Sequence, residues 1–213
     1  MGPLGCTCSI VACTETKEAL VVDPGDEAPR IVAALKQAGL TVVEIAHTHA
    51  HFDHVLGTGA LAQATGAETS LHKDDLFLYE MVPTQLETFG LPATSAPLTP
   101  PRRLLSGGET LAFGRHEARV IHTPGHTPGS LCLFVESGDA DAPLLFAGDT
   151  LFAGSIGRTD LWGGDFEQIL SSIRGPLFTL PERTLVIPGH GPETSIGLER
   201  EDNPYAGKYA RVR

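Results

Sequence analysis

The chain has 213 residues, long for one average domain and short for two, so a single layered domain with a full core is expected. Its 41% hydrophobic and 19% charged content is ordinary for a globular protein and excludes a disordered one. A formal net charge of −11 argues against nucleic acid, whose phosphates need clustered Lys and Arg, and favours a small-molecule substrate.

The N-terminus lacks a basic stretch leading into an apolar run, and no run of eighteen apolar residues occurs, so the protein is expected in the cytoplasm with no membrane partner. Met1-Gly2 opens like a myristoylation signal, but Cys6 stands where that pattern needs Ser or Thr. Cys6, Cys8, Cys13 and Cys132 lack zinc-finger spacing and read as reduced thiols, Cys132 as a small core residue. Nothing in the sequence fixes the oligomeric state, and a homo-oligomer stays open.

Ser9-Ile10-Val11-Ala12 and Ala19-Leu20-Val21-Val22-Asp23 read as an antiparallel hairpin, closed by the turn residues Asp23-Pro24-Gly25-Asp26. From Glu27 to Ala38, Ile31, Val32, Leu35 and Ala38 recur at helical spacing, and Gly39 ends the helix. Thr41 to Ala46 is a β-branched run long enough for one buried strand. Val55 to Thr65 reads as a second helix with Gly66 as terminator, and Glu68-Thr69-Ser70-Leu71 as a short strand. In Leu76 to Pro101, Pro83, Pro92, Pro97, Pro100 and Pro101 interrupt any long element. That stretch reads either as a short helix and loop over the site or as a plain cover for the core. Strands are expected at 111–113, 118–122, 130–135, 144–147 and 184–187, with a helix at 166–173. Two face-to-face sheets with helices outside would bury this pattern.

The chemistry concentrates in Thr48-His49-Ala50-His51-Phe52-Asp53-His54, four metal-competent side chains within six residues where a strand gives way to a loop. In an extended segment His49, His51 and Asp53 point one way, and a bend after Phe52 would bring His54 to the same cavity. Imidazole and carboxylate without thiolate suit zinc and comparable first-row ions. Four such groups cannot all hold one tetrahedral ion and leave room for chemistry, so they read as parts of two sites completed elsewhere. Three further turns supply candidates: Gly125-His126, Gly148-Asp149 and Gly189-His190, each following a strand, each with glycine allowing a tight approach. Of the other histidines, His47 and His122 read as strand-end groups and His72 and His116 as surface residues.

The set His49, His51, Asp53, His54, His126, Asp149 and His190 resembles the metallo-β-lactamase superfamily, and Gly148-Asp149-Thr150-Leu151-Phe152 through Gly157-Arg158-Thr159-Asp160 resembles its glyoxalase II-like branch. The resemblance runs from about Gly5 to Pro204. It implies an α/β fold, the αββα four-layer sandwich, with the metals at one edge of the paired sheets. It implies that His49, His51 and His126 hold one ion, that Asp53, His54 and His190 hold another, and that Asp149 bridges them. The cofactor implied is a pair of divalent ions, zinc first, iron or manganese according to supply. Histidine rather than Glu at position 51 argues against the flavodiiron branch, and Asp149 rather than Cys argues against true β-lactamases.

Glyoxalase II enzymes carry an added helical domain that binds glutathione, and Gly191 to Arg213 is too short to supply one. Those enzymes hold the glycine end of glutathione with Lys and Tyr, where this chain has Arg158 and Asp160. Arg158 could grip a carboxylate, or the two could pair and pin the loop. The expected activity is hydrolysis of a small acyl thioester, S-acylglutathione-like, by a bridging water activated as hydroxide, with Asp53 as both ligand and proton acceptor. The alternative is the persulfide dioxygenase branch, with one iron held by His49, His126 and Asp149. Trp162 reads either as a wall of the substrate pocket or as packing under the loop.

Overall fold

Alternation along the strands divides the chain into layers. On the second strand Leu20 and Val22 face one way and Val21 the other, so a single strand serves two apolar interfaces. The computed structural model describes residues 1–2, 4–94, 98–136 and 142–210; Pro97, one of the interrupting prolines, lies outside them.

The first sheet is β1 (Ser9–Ala12), β2 (Glu18–Val22), β3 (Thr41–Ala46), β4 (Glu68–His72) and β5 (Arg103–Leu105), in that order, antiparallel between β1 and β2 and parallel thereafter. The parallel steps require crossovers, supplied by helices. Helix α1 (Ala28–Ala38) starts with Pro29 in its first turn and stops at Gly39, whose left-handed φ of 65° lets its N–H return to the last carbonyls. Where one helix was expected at 55–65 there are two, α2 (Phe52–Val55) and α3 (Thr58–Thr65), separated at Leu56-Gly57. The prolines of the 76–101 stretch leave room for α4 (Leu76–Glu80) and α5 (Val82–Thr88), the latter with Pro83 in its first turn, where a missing N–H costs nothing.

The second sheet has six strands in the order β13-β12-β9-β8-β7-β6: β6 (Thr110–Phe113), β7 (His116–His122), β8 (Leu131–Val135), β9 (Leu144–Gly148), β12 (Leu185–Pro188) and β13 (Thr194–Ser195). Only β9 and β12 pair in parallel, and the connection between them carries a small hairpin, β10 (Leu151–Phe152) with β11 (Ser155–Ile156), and α6 (Phe166–Ser172). The last helix among the described residues is α7 (Ile196–Asp202).

Three apolar interfaces stack these layers. Between the sheets Leu20, Val22 and Ala46 meet Leu111, Phe113, Val120, Leu131 and Leu133. Outside the first sheet Val21 and Ile45 pack on Ile31 and Leu35 of α1 and Leu61 of α3. Outside the second, Ile121, Cys132, Phe134 and Leu145 pack on Ile169 and Leu170 of α6. The result is the four-layer αββα sandwich. Each fully buried Leu in these interfaces contributes about 1.5–3 kcal/mol relative to exposure. Among the described residues no helix is long and apolar enough to cross a membrane.

Candidate metal centre

Strand ends place every candidate. The segment after β3 carries His49, His51, Asp53 and His54, the turn after β7 carries His126, the end of β9 carries Asp149, and the end of β12 carries His190. All seven lie at one edge of the paired sheets. Asp53 arrives there differently from the alternation expected for an extended chain, because the chain turns helical from Phe52 and one α2 turn aims Asp53 and His54 inward together.

Three imidazoles form the first group. His126 Nε2 lies 2.9 Å from His51 Nδ1 and 3.2 Å from His49 Nε2, and His49 Nε2 lies 3.0 Å from His51 Nδ1. Outer contacts settle the tautomers of two of them, His126 and His49. His126 Nδ1 is 2.7 Å from the Arg158 carbonyl, which only accepts, so Nδ1 carries the proton and Nε2 keeps a lone pair. Thr48 Oγ1 donates to Asp23 Oδ2 at 2.6 Å and therefore accepts from His49 Nδ1 at 3.1 Å, which leaves His49 Nε2 a lone pair as well. Burial drives the pKa of His49 and His51 well below the usual imidazole value and lowers that of His126, so all three are neutral donors at neutral pH.

The second group is acidic. His190 Nε2 lies 3.1 Å from Asp53 Oδ2, and His54 Nε2 is 3.6 Å from both Asp53 Oδ2 and Asp149 Oδ1. Burial alone would raise Asp53, but the His190 hydrogen bond and the His54 charge bring it down to about 2. The same hydrogen bond raises His190. Burial disfavours a charged His54, yet the surrounding groups raise it well above its ordinary value. Burial pushes the neighbouring Cys6 thiol up, so at neutral pH the carboxylates of Asp23 and Asp149 supply that attraction. Asp149 spans the two groups, with Oδ2 3.7 Å from His126 Nε2 and 3.8 Å from His190 Nε2.

Whether these residues suit a metal is answered by what they lack. His54 Nε2 and Asp149 Oδ1, both buried and both aimed into the cluster, have no hydrogen-bond partner among the described residues. Three imidazole nitrogens crowd one point, with lone pairs on His49 and His126 aimed into it, and His51 Nε2 is a further buried atom without a hydrogen-bond partner among the described residues. Gly189 completes the cradle, since a Cβ there would sit 2.3 Å from Asp149 Oδ1 and 2.8 Å from His54 Cε1. The donor set fits two divalent ions.

A cavity of about 100 Å³ opens onto the cluster. Leu4, Phe52, Phe89 and Leu161 give it an apolar wall, and Arg158 stands at its side. Arg158 donates from Nε and Nη2 to the two Asp160 oxygens at 2.7 and 2.8 Å, the loop-pinning pair that the sequence left open. Trp162 packs against the apolar cluster that contains Phe52, Val55 and Leu78, with its ring centroid 6.4 Å from that of His51, and does not line the cavity.

Other residues depart from the sequence reading. Asp23, taken for a turn residue, is 2% exposed and accepts from Thr48 N at 2.7 Å, Thr48 Oγ1 at 2.6 Å and His54 Nδ1 at 2.9 Å. A carboxylate directly after the apolar run Ala19 to Val22 was the signal available for it. His72, expected at the surface, is buried by stacking on His122 with ring centroids 4.0 Å apart at 14°. With Asp74 they gather three potential ligands, but near-parallel rings direct their in-plane lone pairs alongside one another instead of toward one point.

The metallo-beta-lactamase superfamily model matches residues 1–190. A Haemophilus influenzae protein named hydroxyacylglutathione hydrolase GloC is 39% identical over 93% of this chain and 91% of its own. Among solved structures, BLEG-1 B3 metallo-beta-lactamase superposes with a TM-score of 0.84 at 37% identity, over 97% of this chain and 96% of that one. TTHA1623 in a di-iron-bound form gives 0.82 at 38% identity, over 96% and 97%.

Proposed function

Because the chain belongs to the metallo-beta-lactamase superfamily, we propose that it is a dinuclear metallohydrolase that cleaves a small acyl thioester, S-acylglutathione-like. The observation that carries this reading is the pairing of two ligand groups across Asp149, with buried polar atoms that lack hydrogen-bond partners among the described residues. The hydroxyacylglutathione hydrolase relative supports the substrate class, and the di-iron neighbour supports a two-ion site.

His49, His51 and His126 would hold one ion, Asp53, His54 and His190 the other, and Asp149 would reach both. When bound, two such ions lower the pKa of a shared water from about 15.7 toward 7 and polarise a carbonyl oxygen. The chain's own residues do the rest. Neutral imidazoles on the first group leave it ready for a cation without first losing protons. The Asp53 carboxylate, kept ionised beside His190, orients the attacking water and takes its proton. Phe52, Phe89 and Leu161 offer the acyl group an apolar seat and thin the water around it. Arg158 lies where a carboxylate of the thiol carrier would reach it, though Asp160 already occupies one edge of the guanidinium.

Elemental analysis of the purified protein, with S-lactoylglutathione hydrolysis measured on the same sample, tests the proposal. Two ions per chain and thioester cleavage that Asp53→Ala abolishes are expected. One iron per chain with oxygen consumption on glutathione persulfide would assign the chain to the dioxygenase branch instead. Hydrolysis of a β-lactam without thioester cleavage would move it to the lactamases.

A further inference from the structure

Two buried polar side chains outside the cavity, Asp75 and Gln85, direct all but one of their hydrogen bonds to the ligand loops. Both are fully buried, and neither hydrogen-bonds a candidate ligand side chain. Asp75 sits at the junction of a short 3₁₀ turn (Lys73–Asp75) and α4. Its Oδ2 accepts the Ala50 N–H at 2.9 Å and the Thr127 hydroxyl at 2.8 Å, while Oδ1 accepts the Gly129 N–H at 2.6 Å. One carboxylate thereby ties the loop carrying His49 and His51 to the loop carrying His126.

Gln85, on α5, completes the hold. Its Oε1 accepts the Phe52 N–H at 2.9 Å, and its Nε2 donates to the Ala50 carbonyl at 3.1 Å and to the Leu78 carbonyl at 2.7 Å. The polar backbone groups on either side of His51 are therefore fixed from one direction by two side chains.

The residue types are dictated by these partners. Three donors converge on position 75, so an acceptor-only carboxylate satisfies them all, whereas an amide would set an N–H against a donor. Two carbonyls and one N–H converge on position 85, which an amide matches and a carboxylate or an apolar chain does not. Gly129 leaves the room required, since a Cβ there would lie 2.7 Å from Asp75.

We propose that Asp75 and Gln85 are positioning residues for the first-ion site, setting the mutual spacing of His49, His51 and His126 by gripping the two loops that carry them. The three imidazole nitrogens must be held about a fixed point to within a fraction of an ångström, and loops held only by their ends would not do this. The second group has a support of its own in Asp23, which holds His54 directly and reaches the first group only at one remove, through Thr48 to His49. This inference rests on the two-ion reading above but not on the thioester substrate.

Asp75→Asn and Gln85→Met test it, each keeping roughly the native volume while mismatching the partners. The full-length proteins, stripped of metal by a chelator, are titrated with zinc against a chromophoric competitor, and the metal-free proteins are melted in parallel. Either variant should weaken the first-ion step by about 10–100-fold, the range for residues that orient metal ligands, and leave the step belonging to Asp53, His54 and His190 within a few-fold of wild type. Parallel loss of both steps together with metal-free stability would assign Asp75 and Gln85 to general structure and overturn the proposal, as would unchanged affinities or failure of both variants to fold. A wild-type chain that takes up two ions but cleaves no thioester would sink the substrate reading and leave this inference standing.

Discussion

Replacing Asp23 by Asn changes one oxygen to an amide nitrogen, and the consequence can be traced atom by atom. If the amide nitrogen takes the place of Oδ2, it faces the Thr48 hydroxyl and His54 Nδ1. The hydroxyl can turn and accept. His54 Nδ1–H cannot, so either a buried donor loses its partner, at about 1–3 kcal/mol, or the ring, charged in the metal-free wild type, sheds its Nδ1 proton and keeps the one on Nε2. In the metal-free protein that state is tolerated, because Nε2 faces Asp53 and Asp149 at 3.6 Å. It lacks, however, the lone pair a cation needs. Flipping the amide only transfers the mismatch to the Thr48 N–H. The loss therefore falls on the ion-bound state, and about 1–3 kcal/mol corresponds to roughly 5–150-fold in affinity. Zinc titration should show the second-ion step weakened by that factor and the first-ion step weakened less, because position 23 reaches His49 only at one remove, through Thr48. Urea unfolding of the metal-free variant should shift by less than the binding loss. Equal weakening of both steps, or a stability loss as large as the affinity loss, would refute the tautomer argument.

Other perturbations have equally definite outcomes. Gly189→Ala inserts a Cβ between Asp149 and His54, so uptake of both ions should collapse in elemental analysis, while circular dichroism of the metal-free protein shows a melting shift no larger than overpacking by about 1–3 kcal/mol predicts. Burial raises the Asp75 carboxyl from 3.8 to about 6, so folding takes up a proton and the metal-free protein should lose stability as pH rises from about 4 through 6, by about 3 kcal/mol from this group. Chemical denaturation across that range should give a flatter profile for Asp75→Asn, and an identical slope would refute the assignment. Asp160→Ala releases the Arg158 guanidinium, and an exposed, solvent-screened pairing of this kind is weak, so KM for S-lactoylglutathione should fall by at most about five-fold with kcat unchanged.

The candidate ligands were legible because their chemistry is local. Imidazoles and carboxylates at strand ends, next to glycines, identify themselves by residue type and spacing, and the strand runs around them carry the β pattern that the two sheets require. What escaped was support from a distance. Asp23 reads as a turn residue because Pro24-Gly25 follows it, and its partners Thr48 and His54 lie more than twenty positions away. Asp75 and Gln85 act mostly on backbone atoms, which leave no imprint on the side chains they hold; Gln85 sits in the proline-interrupted stretch whose role the sequence left undecided, and Asp75 stands just before it. His72 followed the bias of its charged neighbours Lys73, Asp74 and Asp75 toward the surface, whereas its burial depends on His122 from the other sheet.

That last contrast extends to the centre as a whole. His49, His51, Asp53 and His54 follow a strand of the first sheet, and His126, Asp149 and His190 follow strands of the second. Each ion would take ligands from both sheets, so neither site exists until the apolar faces of Leu20, Val22 and Ala46 have met those of Val120, Leu131 and Leu133. Core packing is thus the precondition of binding, and binding in turn favours the packed state by RT ln(1 + [L]/Kd), about 2.7 kcal/mol at a hundred-fold excess over Kd. The hydrogen bonds of Asp23 and Asp75 carry this coupling to the ligands: Asp23, at the end of β2, holds His54 within the first sheet's own loops, while Asp75, just beyond β4, reaches across to Thr127 and Gly129 of the second sheet. A carboxylate that bridges the sheets controls their separation at the cluster, and one that stays within a sheet acts directly on the His54 ring and only through Thr48 on His49. For this reason the two supports should separate in a titration even though both are buried acids of similar size.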